Sequence, residues 1–193
     1  MPSKINLSYD IQPAFLVSTL ITILFLPFQW FAAWMSAVLV HELSHLTMMR
    51  LLGVRIYRIR LEFMGATIET EPMHAAKELF CALAGPVGGS CLILLSTIWP
   101  KVAICALVQS LFNTLPIYPL DGGRVLFNLF VLFLGRPYAI RAILVLNTVM
   151  LIFLIIFTVW IQVCYQSGLI AGFLALLIFF QHRKAIYALQ TAG

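Results

Sequence analysis

The chain has 193 residues, of which 62% are hydrophobic and only 10% charged, with a formal net charge of +5 and a mean hydropathy of +1.02. A soluble domain averages about 25% charged residues and just under half apolar ones, so composition excludes an ordinary soluble domain and leaves an integral membrane protein. The basic residues fall in short segments between apolar runs instead of along one soluble face, which argues against nucleic acid and makes the lipid bilayer the partner.

A spanning helix needs about 20 predominantly apolar residues. Residues 14–29 form the first such run, with a kink expected near Pro27. Only Lys4 precedes it and no small-residue cleavage site follows, so a retained helix is expected, not a removed signal. Residues 30–52 form the second run, and it contains His41-Glu42-Leu43-Ser44-His45. Residues 53–71 differ: partial alternation, β-branched residues and a central Gly65 predict a β-hairpin or short strands. Pro72 stands where a helix opens.

The third crossing covers residues 73–99, and Pro100-Lys101 makes a tight turn. Residues 102–135 are too long for one simple span and are interrupted by Pro116, Pro119, Gly122 and Gly123. One crossing with a broken, non-helical middle is expected, because irregular backbone at membrane depth must be buried in protein or line a cavity. Arg136-Pro137 breaks the chain again, and residues 138–162 and 169–180 give the fifth and sixth crossings. The expected fold is an all-α membrane protein. It has six transmembrane helices, a short β-hairpin between helices 2 and 3, and a broken helix 4, in one domain over residues 1–193.

Charge orients this plan. With the N-terminus inside, the cytoplasmic side receives Lys4, Arg50, Arg55, Arg58, Arg60, Lys77, Arg124, Arg136, Arg141, Arg183 and Lys184, and the other side only Lys101. That asymmetry is what the positive-inside rule demands, and it puts both termini in the cytoplasm. His45 precedes Arg50 by five residues, roughly 7–8 Å of helix, so a site there lies within the bilayer but toward the cytoplasm. Cys81, Cys91, Cys105 and Cys164 are widely spaced, with no C-x-x-C. They read as buried thiols, with no disulfide framework or metal site.

His41 and His45 are one helical turn apart and project from the same face. Two neutral imidazoles supply two zinc ligands, and Glu42 beside them can reach a water as general base. An ionisable cluster in hydrocarbon is costly and points to function. A pair of merely structural buried histidines leaves Glu42 unexplained. A catalytic zinc takes three protein ligands and keeps one position open. For the third, His74 and His182 lie at membrane boundaries, and Asp10, Glu62, Glu69, Glu71 and Glu78 lie in loops or at helix ends. Asp121 falls inside the broken crossing, although Asp-Gly is also ordinary turn chemistry. Gln109 and Asn113 are four apart and share a helix face, either toward the site or in helix–helix hydrogen bonding.

His41-Glu42-Leu43-Ser44-His45, followed by Asn113-Thr114-Leu115-Pro116-Ile117-Tyr118-Pro119-Leu120-Asp121-Gly122, resembles the site-2 protease family of intramembrane zinc metalloproteases. The second segment matches that family's N-x-x-P-x-x-x-L-D-G pattern at every fixed position, and Ala84-Gly85-Pro86 resembles its A-G-P motif. The run over residues 116–126 is most similar to the sporulation-type branch, the stage IV enzyme that processes a membrane-associated pro-sigma factor. The resemblance implies Zn2+ on His41, His45 and Asp121, Glu42 as catalytic base, and Asn113 holding substrate or the oxyanion. It also implies a membrane-associated or single-pass protein substrate, regulatory membrane proteins as partners, and a bacterial cell membrane. About a dozen residues follow Phe180 and residues 53–71 are few, so neither a C-terminal regulatory domain nor an inserted PDZ domain is expected. Gly88 and Gly89 are expected to allow close helix packing. The residues 55–69 hairpin offers either an edge strand for an extended peptide or an amphipathic surface element. A membrane metal transporter or a non-catalytic scaffold is the alternative; it leaves Glu42 without a role, and inverted repeats are not evident.

Overall fold

The computed structural model describes residues 8–62 and 65–165. The sixth expected crossing, together with Lys4, His182, Arg183 and Lys184, lies outside the described residues. Two compact units form, Met1–Asn113 and Thr114–Gly193.

The first unit runs β1 (Ser8–Ile11), α1 (Pro13–Phe25), α2 (Phe28–Leu51), β2 (Ile56–Glu62), β3 (Gly65–Thr70), α3 (Ala75–Cys91) with a 3-10 extension over Leu92–Leu95, and α4 (Pro100–Asn113). Pro13 occupies the first turn of α1, where its fixed φ suits the helix and its missing N–H costs nothing. The kink expected near Pro27 is a full break. Leu26 is extended, with its N–H on the Thr22 carbonyl, because the residue before a proline is driven out of the helical region.

The buried residues of α2 are Ala33, Ala37, His41, His45 and Met49. They recur every fourth position and so make one stripe. Its upper half is a small-residue seam. Ala33 and Ala37 pack against Cys105 and Ala106 of α4, with Trp30, Trp34, Leu92 and Val102 around them. Small side chains let helix backbones approach closely, the usual device where lipid removes the hydrophobic drive between helices. Halfway down, the same stripe changes from alanine to imidazole.

The hairpin is present: β2 and β3 pair antiparallel, with Ile59 opposite Ile68 and Arg60 opposite Thr67. Sequence reading missed β1, which adds to β2 in parallel, Ser8 opposite Arg58 through Ile11 opposite Leu61. The four residues of β1 are all exposed, so they carry no buried/exposed alternation. Their strand character comes from pairing some 50 residues away, a tertiary effect. Helix α3 begins at Ala75 instead of at Pro72. His74 is its N-cap, its ring accepting the Ala76 N–H, and it is exposed.

The second unit holds α5 (Asp121–Leu134) and α6 (Arg136–Tyr165). The non-helical middle expected within residues 102–135 is residues 114–120, between α4 and α5. Gly135 adopts φ +82° and ends α5 in a conformation glycine reaches without strain. The core here is Phe127 of α5 against Ala139 and Ile143 of α6.

Two described segments, Ala75–Leu95 and Arg136–Cys164, are long and apolar enough to cross a membrane by length and composition. The outward face of α6 exposes Val145, Val149, Ile152, Ile156, Val159 and Val163. A contiguous apolar surface of that length suits lipid rather than water. All four cysteines are free, but only Cys81 and Cys105 are buried. Cys91 and Cys164 are exposed, which corrects the expectation of four buried thiols; each sits on the outward side of an apolar helix.

Candidate metal centre

His41 is 3% and His45 6% exposed, on the buried stripe of α2. The His45 Nδ1 lies 2.7 Å from the Cys81 carbonyl oxygen of α3. A carbonyl only accepts, so Nδ1 carries the proton and donates it. In the neutral ring that leaves Nε2 with its lone pair, the tautomer a metal ligand needs. The Nε2 atoms of His41 and His45 approach to 3.2 Å, with the rings edge to face at 83°. Two nitrogens each about 2.0–2.1 Å from a tetrahedral ion stand roughly 3.3 Å apart. The pair is thus spaced as two ligands of one ion, and the donor chemistry of two neutral imidazoles suits zinc.

Helix α3 makes room for these rings by omitting side chains. A Cβ on Gly85 would lie 2.2 Å from His45 Nε2 and 2.8 Å from His41 Cε1. A Cβ on Gly88 would lie 1.9 Å from Ser44 Oγ, and one on Gly89 would meet Ser110 Oγ at 2.9 Å and His41 Nδ1 at 3.6 Å. The sequence reading attributed Gly88 and Gly89 to close packing and gave Gly85 only as part of the A-G-P resemblance. Gly85 in fact faces the imidazoles themselves. The A-G-P run signalled the position, but its physical reason appears only when α3 lies against α2.

Glu42 is half-buried on α2 beside the pair. Its Oε1 is 3.5 Å from the Ala66 backbone N–H of β3, so the strand faces the carboxylate with a main-chain donor. β3 is the outer strand of the β1-β2-β3 order, so it forms an edge of the sheet. Helix α4 buries Gln109 and Ser110, and the Ser110 hydroxyl donates toward the Pro86 carbonyl at 3.5 Å. Among the described residues, Gln109 Oε1 is buried without a hydrogen-bond partner. Asn113 is the last residue of α4 and half-buried. A cavity of about 620 Å3 borders the N-terminal half of α2, with Lys101 and Gln29 at its lining; it contains neither histidine, so the chemistry does not belong there.

Asp121 lies in the second unit, at the start of α5 and 8% exposed. An acidic residue in a first turn is favoured by the helix dipole, yet burial to this degree exceeds what a solvated cap needs. The turn before it is compact. A Cβ on Gly122 would lie 2.2 Å from the Thr114 carbonyl oxygen, and one on Gly123 2.2 Å from the Tyr118 nitrogen. Both contacts are with backbone, so residues 114–118 fold directly onto the first turn of α5 and only glycine fits there. Asn147 of α6, 1% exposed, was not singled out from the sequence. Its Oδ1 accepts the Tyr118 N–H at 2.9 Å and its Nδ2 donates to the Tyr118 carbonyl at 3.0 Å. The signal was available: a lone carboxamide in the apolar stretch over residues 142–155.

Comparison with known proteins agrees with these motifs. Residues 82–157 match peptidase family M50. The chain is 34% identical over 109 residues to stage IV sporulation protein FB of Bacillus subtilis (strain 168), across 48% of this chain and 37% of that protein. It thus spans a little over a third of that relative's length. Among solved structures it is similar to a site-2 protease from Methanocaldococcus jannaschii, with a TM-score of 0.68 and 18% identity, covering 92% of this chain and 90% of that one. The fold is that of a site-2 protease, and the resemblance read from the two motifs is borne out.

Proposed function

We propose that this protein is an intramembrane zinc metalloprotease that cleaves a peptide bond of a membrane-associated or single-pass protein within or near the bilayer. The observation that carries the reading is the His41–His45 pair, with Nε2 atoms 3.2 Å apart and Glu42 next to the first of them. The M50 match and the sporulation relative support it. They also favour a membrane-associated pro-sigma factor as the substrate class. A metal transporter or scaffold uses the same ligands but gives Glu42 no task.

In this reading His41, His45 and Asp121 hold one zinc ion. Supporting the third assignment are the burial of Asp121 and its place in the N-x-x-P-x-x-x-L-D-G segment. Zinc bound there supplies Lewis-acid activation of water and of the scissile carbonyl. The chain's own residues do the rest. Glu42 takes the proton of the attacking water and returns it to the leaving amine. Asn113 donates a hydrogen bond to the developing oxyanion. The irregular residues 114–120 line the route by which water reaches the site. A helical substrate hides its peptide bonds, so it must unwind before attack, and the outer edge of β3 offers main-chain groups to an extended segment. Six crossings with cytoplasmic termini, in one working domain, complete the proposal.

The test is cleavage of candidate single-pass and pro-sigma substrates in a purified, lipid-reconstituted system. Cleavage that a zinc chelator abolishes and added zinc restores supports the reading. Zinc-tight binding with no cleavage of any membrane substrate, or chelator-insensitive cleavage, overturns it.

A further inference from the structure

We propose that Asn147 is a positioning residue for the metal centre, acting through the backbone of Tyr118. The inference rests on the assignment of Asp121 as a ligand.

Asn147 is the one carboxamide within residues 142–157 of α6, where Thr148 is the only other polar side chain. Burying an amide in such surroundings is costly unless it is fully hydrogen-bonded. Here both ends of the amide are used, and both on one peptide residue. Oδ1 takes the Tyr118 N–H and Nδ2 gives to the Tyr118 carbonyl, at 2.9 and 3.0 Å. This is the two-bond pattern by which one strand residue pairs with another, here made by a side chain. It is not the helix–helix side-chain contact that a polar residue in a span usually makes.

The recipient explains the arrangement. Tyr118 lies in the irregular link between α4 and α5, flanked by Pro116 and Pro119, which have no N–H to give. Irregular backbone at membrane depth persists only where its polar groups are satisfied. Asn147 satisfies both of them. From the opposite direction the same turn is pressed onto α5, since Gly123 leaves only enough room for the Tyr118 nitrogen and the Ile117 carbonyl group. The turn is thus fixed between an amide and a glycine, and its next residues are Leu120 and the Asp121 carboxylate. Tyr118 and Phe127 rings meet edge to face at 5.7 Å and close the same corner with apolar contact.

Without the amide, the Tyr118 N–H and carbonyl lose partners in an apolar place, and the turn must shift to find others. Asp121 moves with it. The effect falls on the lifetime of the bound metal before it falls on the fold, because the α5–α6 core of Phe127, Ala139 and Ile143 does not include Asn147.

The experiment compares three purified, zinc-loaded proteins: the natural chain, Asn147→Leu and Asp121→Ala. Zinc release into a chelating dye is followed in time. Hydrogen exchange of the 114–123 peptide and the thermal midpoint of the zinc-stripped proteins are also recorded. Asn147→Leu keeps the branching and heavy-atom count of the side chain and removes both hydrogen bonds. The expected result is zinc release at least tenfold faster, loss of protection at Tyr118, and a zinc-stripped midpoint close to that of the natural chain. Release at the natural rate in Asn147→Leu, with Asp121→Ala releasing fast, overturns this inference and leaves the ligand assignment standing. Natural release in Asp121→Ala overturns the ligand assignment itself and, with it, the basis of the inference. If Asn147→Leu does not accumulate folded, Asn147→Gln is read on the same scale: its amide sits one methylene farther out, and unchanged release and protection in that variant overturn the proposal.

Discussion

Gly85 of α3 faces the coordinating edge of His45 of α2 so closely that a methyl group on it would stand 2.2 Å from Nε2. The glycine therefore holds open the space in which the imidazole presents its lone pair. Through the Cys81 carbonyl, four residues earlier on the same helix, α3 also fixes the proton on the opposite nitrogen. One helix thus sets both the tautomer and the clearance of a ligand carried by another.

Gly85→Ala is expected to displace both rings and to reduce zinc content at least tenfold, measured by elemental analysis of purified protein. Gly89→Ala, whose added carbon meets a serine hydroxyl at 2.9 Å and His41 only at 3.6 Å, should keep more than half. Equal zinc in both variants would show that clearance at the rings does not matter.

Glu42→Gln keeps shape and removes the basic carboxylate. Zinc content should be unchanged, and cleavage should fall by about 10²–10⁴, the usual contribution of a positioned acid–base group. Cleavage at the natural rate in a purified system would remove Glu42 from the mechanism.

Ala66→Pro deletes the N–H that faces Glu42, at a position on an edge strand, where proline is tolerated. The expected loss is about tenfold in kcat/KM, the scale of one hydrogen bond, with zinc retained. An unaltered kcat/KM would show that the edge neither supports the base nor receives substrate.

The orientation predicts opposite accessibilities. With the four natural cysteines replaced, a cysteine at Lys101 should react with a membrane-impermeant thiol reagent applied outside intact cells. A cysteine at Arg55 should react only after permeabilisation. The reverse pattern would invert the topology and place the site toward the other surface.

Much of this protein was legible from the chain alone. Apolar runs marked the helices because a spanning segment must satisfy its own backbone. Pro27, Pro100 and Pro137 marked breaks because proline's backbone preferences are local. His41, Glu42 and His45 were legible because helical periodicity alone puts two imidazoles on one face. What sequence could not supply was whatever depends on a partner distant in the chain. Strand β1 exists through β2, fifty residues away. The break over residues 114–120 was marked by its prolines and glycines, but the hydrogen bonds from Asn147 and the close approach of Gly123 were not. The emptiness at Gly85 acquires meaning only against His45. Local propensity and periodicity are written residue by residue, whereas clearance, tautomer and loop restraint are properties of two surfaces in contact. Those are decided by tertiary packing.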